Sequence, residues 1–491
     1  MPGETQTPAP AVPRKARAVI PQSLPIALAL VYLLVLFARG DVTDPDIWWH
    51  LRNASDLVRT HHFLHADHFT FTVAGQRWIN IEWLAELPYY FAWRWLAAQG
   101  LFLVMVLAAS AVALGVYALA RLRSQDTFAS LLAALVVIYF GTVSLAPRPL
   151  LFGWIFLVLE LWLLEAFRQG RDHIAWLPLL FLLWINAHGS WFLGFGLLVL
   201  WFACGLAEGE WGQLYATRWA PAQRRRLLVA IAASFACLFV NPWGWRLVAY
   251  PLDALLHQKL GMQYIAEWAS LDFHLPLGKA VLLLFLALAV LQLVRPRRWA
   301  AQDLACGIIA LYGAVTYVRF VFLAGILVAP LLAAGLRLER SRERKRAGGG
   351  MLGIVATALL LILIALAWPK ENRLEAGIAH SYPEKAVPYV RSLAGSGNVF
   401  DEYHWGGYLE WRAPQVQEFI DSRADIFVEH GIMADYARAV RIQEPFEVLD
   451  RYRIRYVLLP TDHPLAYLLA HSAAWKRSYD DGQTVVFQRL P

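Results

Sequence analysis

Apolar runs separated by short polar breaks make up most of the chain. They cover 22–39, 101–121, 128–146, 149–167, 173–187, 190–207, 227–241, 279–294, 303–318, 320–337 and 350–368. A helix crossing a membrane needs about 17–25 such residues, and several of these runs sit near the short end. The segment 83–98 departs from the pattern, because Glu86, Pro88 and Arg94 interrupt its aromatic residues. That mixture predicts a helix lying at the membrane interface instead of a span. Excluding it leaves about eleven spans, the pattern of a polytopic α-helical membrane protein.

The polar breaks sort by charge. Arg121 and Arg123, Arg168 and Arg171, Arg224 to Arg226, then Arg295, Arg297 and Arg298, and finally RLERSRERKR at 337–346, all fall on the N-terminal side. Counting 83–98 as a span would put Arg121 and Arg123 on the other side. Positive charge concentrates in cytoplasmic loops, so residues 1–21 are expected to form a cytoplasmic tail and 22–368 the transmembrane domain. The loop 40–100 and the region 369–491 then face outward, into the periplasm if the cell is Gram-negative. The expected location is a bacterial inner membrane.

Composition agrees, with 58% hydrophobic and 16% charged residues and a mean hydropathy of +0.45. Soluble domains average about 25% charged. The net charge of +7 could suit nucleic acid, but orientation already accounts for arginines in short inter-span loops, so no nucleic-acid partner is expected. Cys204, Cys237 and Cys306 lie inside apolar runs and imply no disulfide framework. The first run has basic flanks at Arg14, Lys15 and Arg17 and no small-residue cleavage site, which reads as a first span or signal anchor.

The outer loop opens with DVTDPDIWWH, residues 41–50. Asp41 reads as a turn or cap residue. Asp46 is placed to cap a helix starting near Ile47. Asp44 precedes proline and is biased toward extended backbone. On such a backbone the two carboxylates could share a cation, or one could accept a proton beside the other. The loop adds His50, His61, His62, His65, Asp67, His68 and Glu82, without the fixed spacing of an HExxH-type metal motif. Phe69 to Val73 alternates like a strand, with Ala74-Gly75 as its turn.

These residues resemble a known pattern. Asp44-Pro-Asp46, Trp48-Trp49-His50, Asp67-x-Phe69, Gly75-x-x-Trp78 and Glu82-Trp83-Leu84 look like the first outer loop of GT-C-type membrane glycosyltransferases. Trp184-x-Asn186-x-His188-Gly189, Asn241-Pro242, Glu267-Trp268 and Arg319-Phe320 extend the resemblance along nearly the whole chain. It implies a GT-C-like fold and inverting transfer of a sugar from a polyprenyl-phosphate donor to an extracytoplasmic acceptor. An acidic residue just after the first span then serves as base or metal ligand, a place that Asp44 or Asp46 fills. Glu82, Asp67 and His50 are candidates for a second acidic or supporting position. A divalent metal, Mg or Mn, held by Asp44 and Asp46 is an open alternative.

Inverting transfer needs a base near the acceptor hydroxyl and positive charge near the departing phosphate. Arg319 at an outer span end suits the phosphate, with His188 as helper; interfacial snorkelling is the competing reading. Asn186, Asn241 and Glu267 complete an outer polar rim, although Asn186 and His188 could pack a helix end and Asn241-Pro-Trp-Gly suits a helix-ending turn.

After Pro369 about 120 residues of mixed character predict a small α/β domain. A capping box is expected at Ser381 to Glu384, strands at 399–400, 418–420, 455–459 and 485–487, and helices at 445–453 and 464–475. In DEYHWGGYLEW, residues 401–411, paired glycines predict a sharp turn, and Glu402, His404, Trp405 and Tyr408 could contact an acceptor. Alternatively the aromatics join this domain to the membrane domain, with Asp421 and Arg423 as a structural pair. No phosphate-binding glycine loop occurs, so no nucleotide cofactor is expected. The competing functions are a transporter or flippase, disfavoured by the absence of duplicated halves, and a non-enzymatic envelope assembly protein.

Overall fold

The computed structural model describes residues 23–38, 40–257, 266–336 and 351–491; the tail 1–21 and the basic run 337–346 lie outside the described residues. The helices begin with α1 Ser23–Ala38, α2 Asp46–Thr60, α3 Trp83–Ser124, α4 Thr127–Gly141, α5 Leu150–Arg168, α6 Leu177–Ala187 and α7 Trp191–Cys204. They continue with α8 Pro221–Cys237, α9 Trp245–His257, α10 Pro276–Val294, α11 Ala301–Thr316, α12 Val321–Leu336 and α13 Met351–Ala367. Among the described residues six helices are long and apolar enough to cross a membrane, and α1, α7, α11 and the segment ending in α6 are shorter apolar helices. Away from water each backbone N–H and C=O must be satisfied within its own segment, which is why apolar runs become helices here.

The centre of the helical domain is α3 packed on α4, α5 and α12. By contrast α13 and α10 stand at the periphery, with only 6% and 17% of their apolar windows buried. The expected interfacial helix and second span are one helical run broken at Ala97, whose φ of 47° and ψ of −133° are not helical. A side chain at Gly100 would come within 2.1 Å of the Ala92 carbonyl oxygen, so the bend needs glycine there.

Helix α2 lies under the C-terminal domain. Asp46 does not cap it: Pro45 occupies the N-cap with no side-chain bond, and Asp44 Oδ1 accepts the Asp46 N–H at 3.0 Å. Asp41 is a turn residue as expected, accepting from the Thr43 N–H at 2.9 Å. The strand expected at 69–73 does not form. Thr70 gives its N–H and hydroxyl to Asp67, and only a single bridge joins Thr70 to Glu418. Strand 418–420 is likewise absent as a ladder, because Asp401 Oδ1 takes the N–H groups of Phe419 and Ile420.

The C-terminal region holds α14 Glu371–Ser381, α15 Val387–Ser392, α16 Gly406–Arg412, α17 Ala424–Glu429, α18 Ile432–Val440, α19 Pro445–Arg451 and α20 Pro464–Ala470. Two hairpin strands, β1 Gly209–Trp211 and β2 Leu214–Ala216, join β3 Trp299–Ala300 in a small sheet between helix ends. The C-terminal strands β4 Asn398–Asp401, β5 Ile454–Pro460, β6 Trp475–Asp480 and β7 Thr484–Arg489 are ordered β4-β5-β7-β6. β4 and β5 are parallel and the other pairs antiparallel, which makes the region an α/β unit. The capping box expected at Ser381 is replaced by a 3-10 turn at Glu384–Ala386 that leads into α15, with Pro383 at its N-cap.

The paired glycines make no sharp turn. They begin α16, and a side chain at Gly406 would meet the Ile420 carbonyl oxygen at 2.1 Å. Close approach is thus what the glycine supplies. Tyr408 is buried, stacked on Tyr382 at 4.8 Å and edge-on to Trp48 at 4.9 Å. From the segment between α1 and α3, Trp49, Val73 and Trp78 enter the apolar core of the α/β unit beside Phe400, Phe419 and Phe427. Loop and C-terminal unit therefore share one core, which holds the loop carboxylates in place.

Candidate active site

Asp44 and Asp46 follow α1 on either side of Pro45, and their side chains diverge. Asp44 is 6% exposed and pairs with the Arg148 Nε, while Asp46 borders a cavity of about 1030 Å³. Arg148 stands between Pro147 and Pro149 where α4 gives way to α5, and its other arm pairs with Glu267. One guanidinium thus ties the start of α2 to the segment before α10. Burial pushes the Asp44 carboxyl up to about 6 against the pull of Arg148. Burial also acts on Glu267, but there Arg148 and then Arg319 prevail and hold it below the usual carboxylate range.

Glu82 also lines the cavity. His50 Nε2 lies 3.4 Å from one of its oxygens and His188 Nε2 lies 3.2 Å from the other. His188 Nδ1 accepts the Ser190 N–H at 2.9 Å, so the ring's proton sits on Nε2, the nitrogen nearest Glu82. His50 Nδ1 meets Glu86 Oε1 at 2.9 Å, and Asn80 donates to that same oxygen at 2.9 Å. Burial, followed by repulsion from Asp46, pushes Glu82 up to about 8. Burial and the Arg319 charge push His188 down to about 3; His50 is lowered by burial, then by Arg148 and His188. At neutral pH both rings are therefore neutral, and Glu82 retains a proton much of the time.

Arg319 lines the same cavity, its guanidinium 5.1 Å from the Trp268 ring centre, and it makes no ion pair among the described residues. The α/β unit closes the opposite wall with Glu402, Tyr403, His404 and Trp405, and with Asp462 and His463. Glu402 accepts from the Tyr436 hydroxyl at 2.9 Å and lies 3.2 Å from His404 Nδ1. This hydrogen bond raises the His404 pKa. Carboxylates, imidazoles and three arginines, Arg148, Arg319 and Arg441, from distant parts of the chain thus face one cavity. Such a set can take a proton from a hydroxyl at one point and hold an anion at another.

Other residues singled out in the sequence lie elsewhere. Asp67 and Asp421 clasp Arg423 Nη2 at 2.7 and 2.5 Å, with Phe69 and Trp78 under the guanidinium at 4.9 and 4.8 Å. This buried group joins loop to α/β unit, the structural pairing. Asn186 Oδ1 accepts from Trp83 Nε1 at 3.0 Å, and its amide donates to the Leu182 and Val240 carbonyls. Asn241 closes the end of α8 by donating to the Leu238 and Gly244 carbonyls. Neither asparagine borders the cavity. Sequence reading missed Arg148 entirely. Its signal was a lone arginine between two prolines on the arginine-poor side.

The metal expectation for Asp44 and Asp46 does not fit. Arg148 already places a positive charge on Asp44, the carboxylates point apart, and no group of three or more metal-ligating side chains is arranged for an ion among the described residues.

No family model matches the sequence, and no curated protein matches it. Its fold does match solved structures. It is similar to the archaeal oligosaccharyltransferase AglB from Archaeoglobus fulgidus, solved with an inhibitory peptide and a dolichol-phosphate. The TM-score is 0.55 at 13% identity over 94% of this chain and 74% of that one. ArnT from Cupriavidus metallidurans, bound to undecaprenyl phosphate, gives 0.51 at 13% identity over 95% and 97%. The arabinofuranosyltransferase AftD from Mycobacteria gives 0.55 at 14% identity over 96% and 40%. The chain has the GT-C fold and is a multi-pass membrane protein.

Proposed function

We propose that the chain is an inverting glycosyltransferase that moves a sugar from a polyprenyl-phosphate donor to an extracytoplasmic acceptor. The observation that carries this reading is the single cavity where Asp46, Glu82, Arg148 and Arg319 meet. The lipid phosphates named with AglB and ArnT support it as a choice of donor class. The acceptor hydroxyl oxygen attacks the anomeric carbon from the face away from the phosphate. A bond from that oxygen to the sugar forms, the sugar–phosphate bond breaks, and its electron pair leaves with the polyprenyl phosphate. Asp46 takes the hydroxyl proton, and Arg319 with Arg148 faces the charge that develops on the departing phosphate. Asp44 acts through Arg148 as a positioning residue. Glu402 and His404 line the wall nearest the α/β unit, where an acceptor would enter.

The reading sets the cavity on the outer side of a bacterial cytoplasmic membrane. Cysteines introduced at Gly75 and Gly482 should then label from outside and one at Gln223 from inside; an inward-facing position 482 would contradict it. The donor test is photo-crosslinking with a polyprenyl phosphate bearing a diazirine near its phosphate. Adducts should map to the cavity walls and weaken in Arg319→Ala. Labelling spread over lipid-facing helices, unchanged in the variant, would move the reading toward an assembly protein.

A further inference from the structure

A second cavity, of about 570 Å³, opens at the opposite ends of the helices. α5 connects the two regions: Arg148 precedes its first residue and Arg168 is its last. At 1.5 Å per residue these levels are roughly 28 Å apart, about the thickness of a hydrocarbon core. The cavity has a built floor. Arg123 reaches Asp303 at 2.9 Å and Glu165 at 3.2 Å, while Arg168 reaches Glu165 at 2.8 Å and Asp303 at 3.4 Å. Two arginines and two carboxylates there balance each other.

The rim does not balance. The lining holds six arginines against those two carboxylates. Of the four rim arginines, Arg298 meets Glu210 at 2.6 Å and Arg297 donates to the Ala334 carbonyl. Arg218 and Arg295 make no ion pair among the described residues. On the floor, the Arg123 side chain is 8% exposed and its buried Nε has no hydrogen-bond partner among the described residues. Its other nitrogens nonetheless hold both floor carboxylates, so the charge open to an anion is that of Arg218 and Arg295 on the rim. The β1–β2–β3 sheet braces one side, with the Trp299 N–H donating to the Gln213 carbonyl at 2.7 Å.

One wall is apolar and leads to lipid. Leu288 and Leu291 of α10 and Leu331 of α12 line it. Beyond them Leu293 and Val294 are 80% and 72% exposed on a helix whose apolar window is barely buried. A free anion would use the arginines but not this wall; a lipid uses both. Basic pockets between helix ends at a membrane surface suit anionic headgroups. We infer that this cavity binds the phosphate of an anionic membrane lipid, with its acyl chains along α10, at the face opposite the proposed transfer site.

The test is native mass spectrometry of the full chain released from nanodiscs of equal phosphatidylglycerol and phosphatidylcholine. The parent protein should retain phosphatidylglycerol preferentially. Arg218→Ala/Arg295→Ala should weaken that retention by about 30-fold, and the corresponding double lysine variant should largely restore it. Size-exclusion profile and thermal unfolding confirm that each variant is folded. Should the alanine variant fail to fold, the same measurement on the parent protein at about 0.05 and 0.5 M salt replaces it, with retention expected to fall as salt rises. Equal retention of both lipids, or retention indifferent to variant and salt, overturns the inference. So does protection from thermal unfolding by inorganic phosphate without any by phosphatidylglycerol, since the site would then take a soluble phosphate.

Discussion

Asn in place of Asp44 and Asn in place of Asp46 should fail in different ways, although the residues are separated only by Pro45. The Asp44 side chain is 2% exposed and holds Arg148, itself 24% exposed and also paired with Glu267. Removing one partner of a fully buried pair costs about 3–5 kcal/mol. Here Arg148 keeps Glu267 and some solvent, and asparagine retains an oxygen for the Asp46 N–H, so about 1–3 kcal/mol is expected. The Asp46 side chain accepts one long hydrogen bond, 3.4 Å from Trp49 Nε1, so Asp46→Asn should cost about 0.5 kcal/mol or less. Its effect should instead fall on the chemical step, about 10²–10⁴-fold if it is the base. The assay pairs thermal unfolding in detergent with single-turnover transfer and donor affinity. Asp44→Asn should lower the unfolding temperature and loosen donor binding, and Asp46→Asn should slow transfer with donor binding intact. The reverse pattern, or full transfer by a folded Asp46→Asn variant, refutes the division of roles.

Three further outcomes follow from the geometry. Folding raises the Glu82 carboxyl from its usual 4.5 to about 8, so its contribution to stability is full below about 4.5 and is lost as pH rises through 8; Glu82→Gln should flatten the parent protein's decline over that window, and an identical pH profile would show the shift is absent. Because Arg148 occupies Asp44, initial rates should survive EDTA, and loss restored by Mg²⁺ or Mn²⁺ would show that Asp44 releases Arg148 to hold an ion. Gly406→Ala would bring a methyl group to within 2.1 Å of the Ile420 oxygen, lifting α16 and costing about 1–3 kcal/mol; an unchanged unfolding temperature would mean the glycine is not needed for close approach.

The spans were legible because a helix such as α13, 6% buried in its apolar window, must be apolar on all sides, and the composition of the run alone reveals it. Asp46, Glu82 and Arg319 stood out because charge near a span end is costly without a partner, and the fold brings all three to one cavity. Arg148 did not stand out, since its partners lie 104 and 119 residues away and nothing near it in sequence marks them. β6, WKRSYD, was missed because it is an edge strand whose exposed lysine and arginine hide the alternation. Glycines at 406 and 407 suggested a turn by composition, whereas their use depends on a backbone oxygen that only the tertiary fold brings near. Local pattern carried the helices; long-range pairing decided the site.

Transfer of a sugar from a lipid phosphate within one cavity is open to direct test. The most direct measurement is turnover in proteoliposomes supplied with a panel of radiolabelled polyprenyl-phosphate sugars and envelope acceptors, for the parent protein and Asp46→Asn. Label should pass to an acceptor with stoichiometric release of polyprenyl phosphate by the parent protein, and the rate should be at least about 100-fold lower for the variant with donor still bound. A folded parent protein that neither binds nor consumes any donor, or a variant that turns over equally fast, would contradict it.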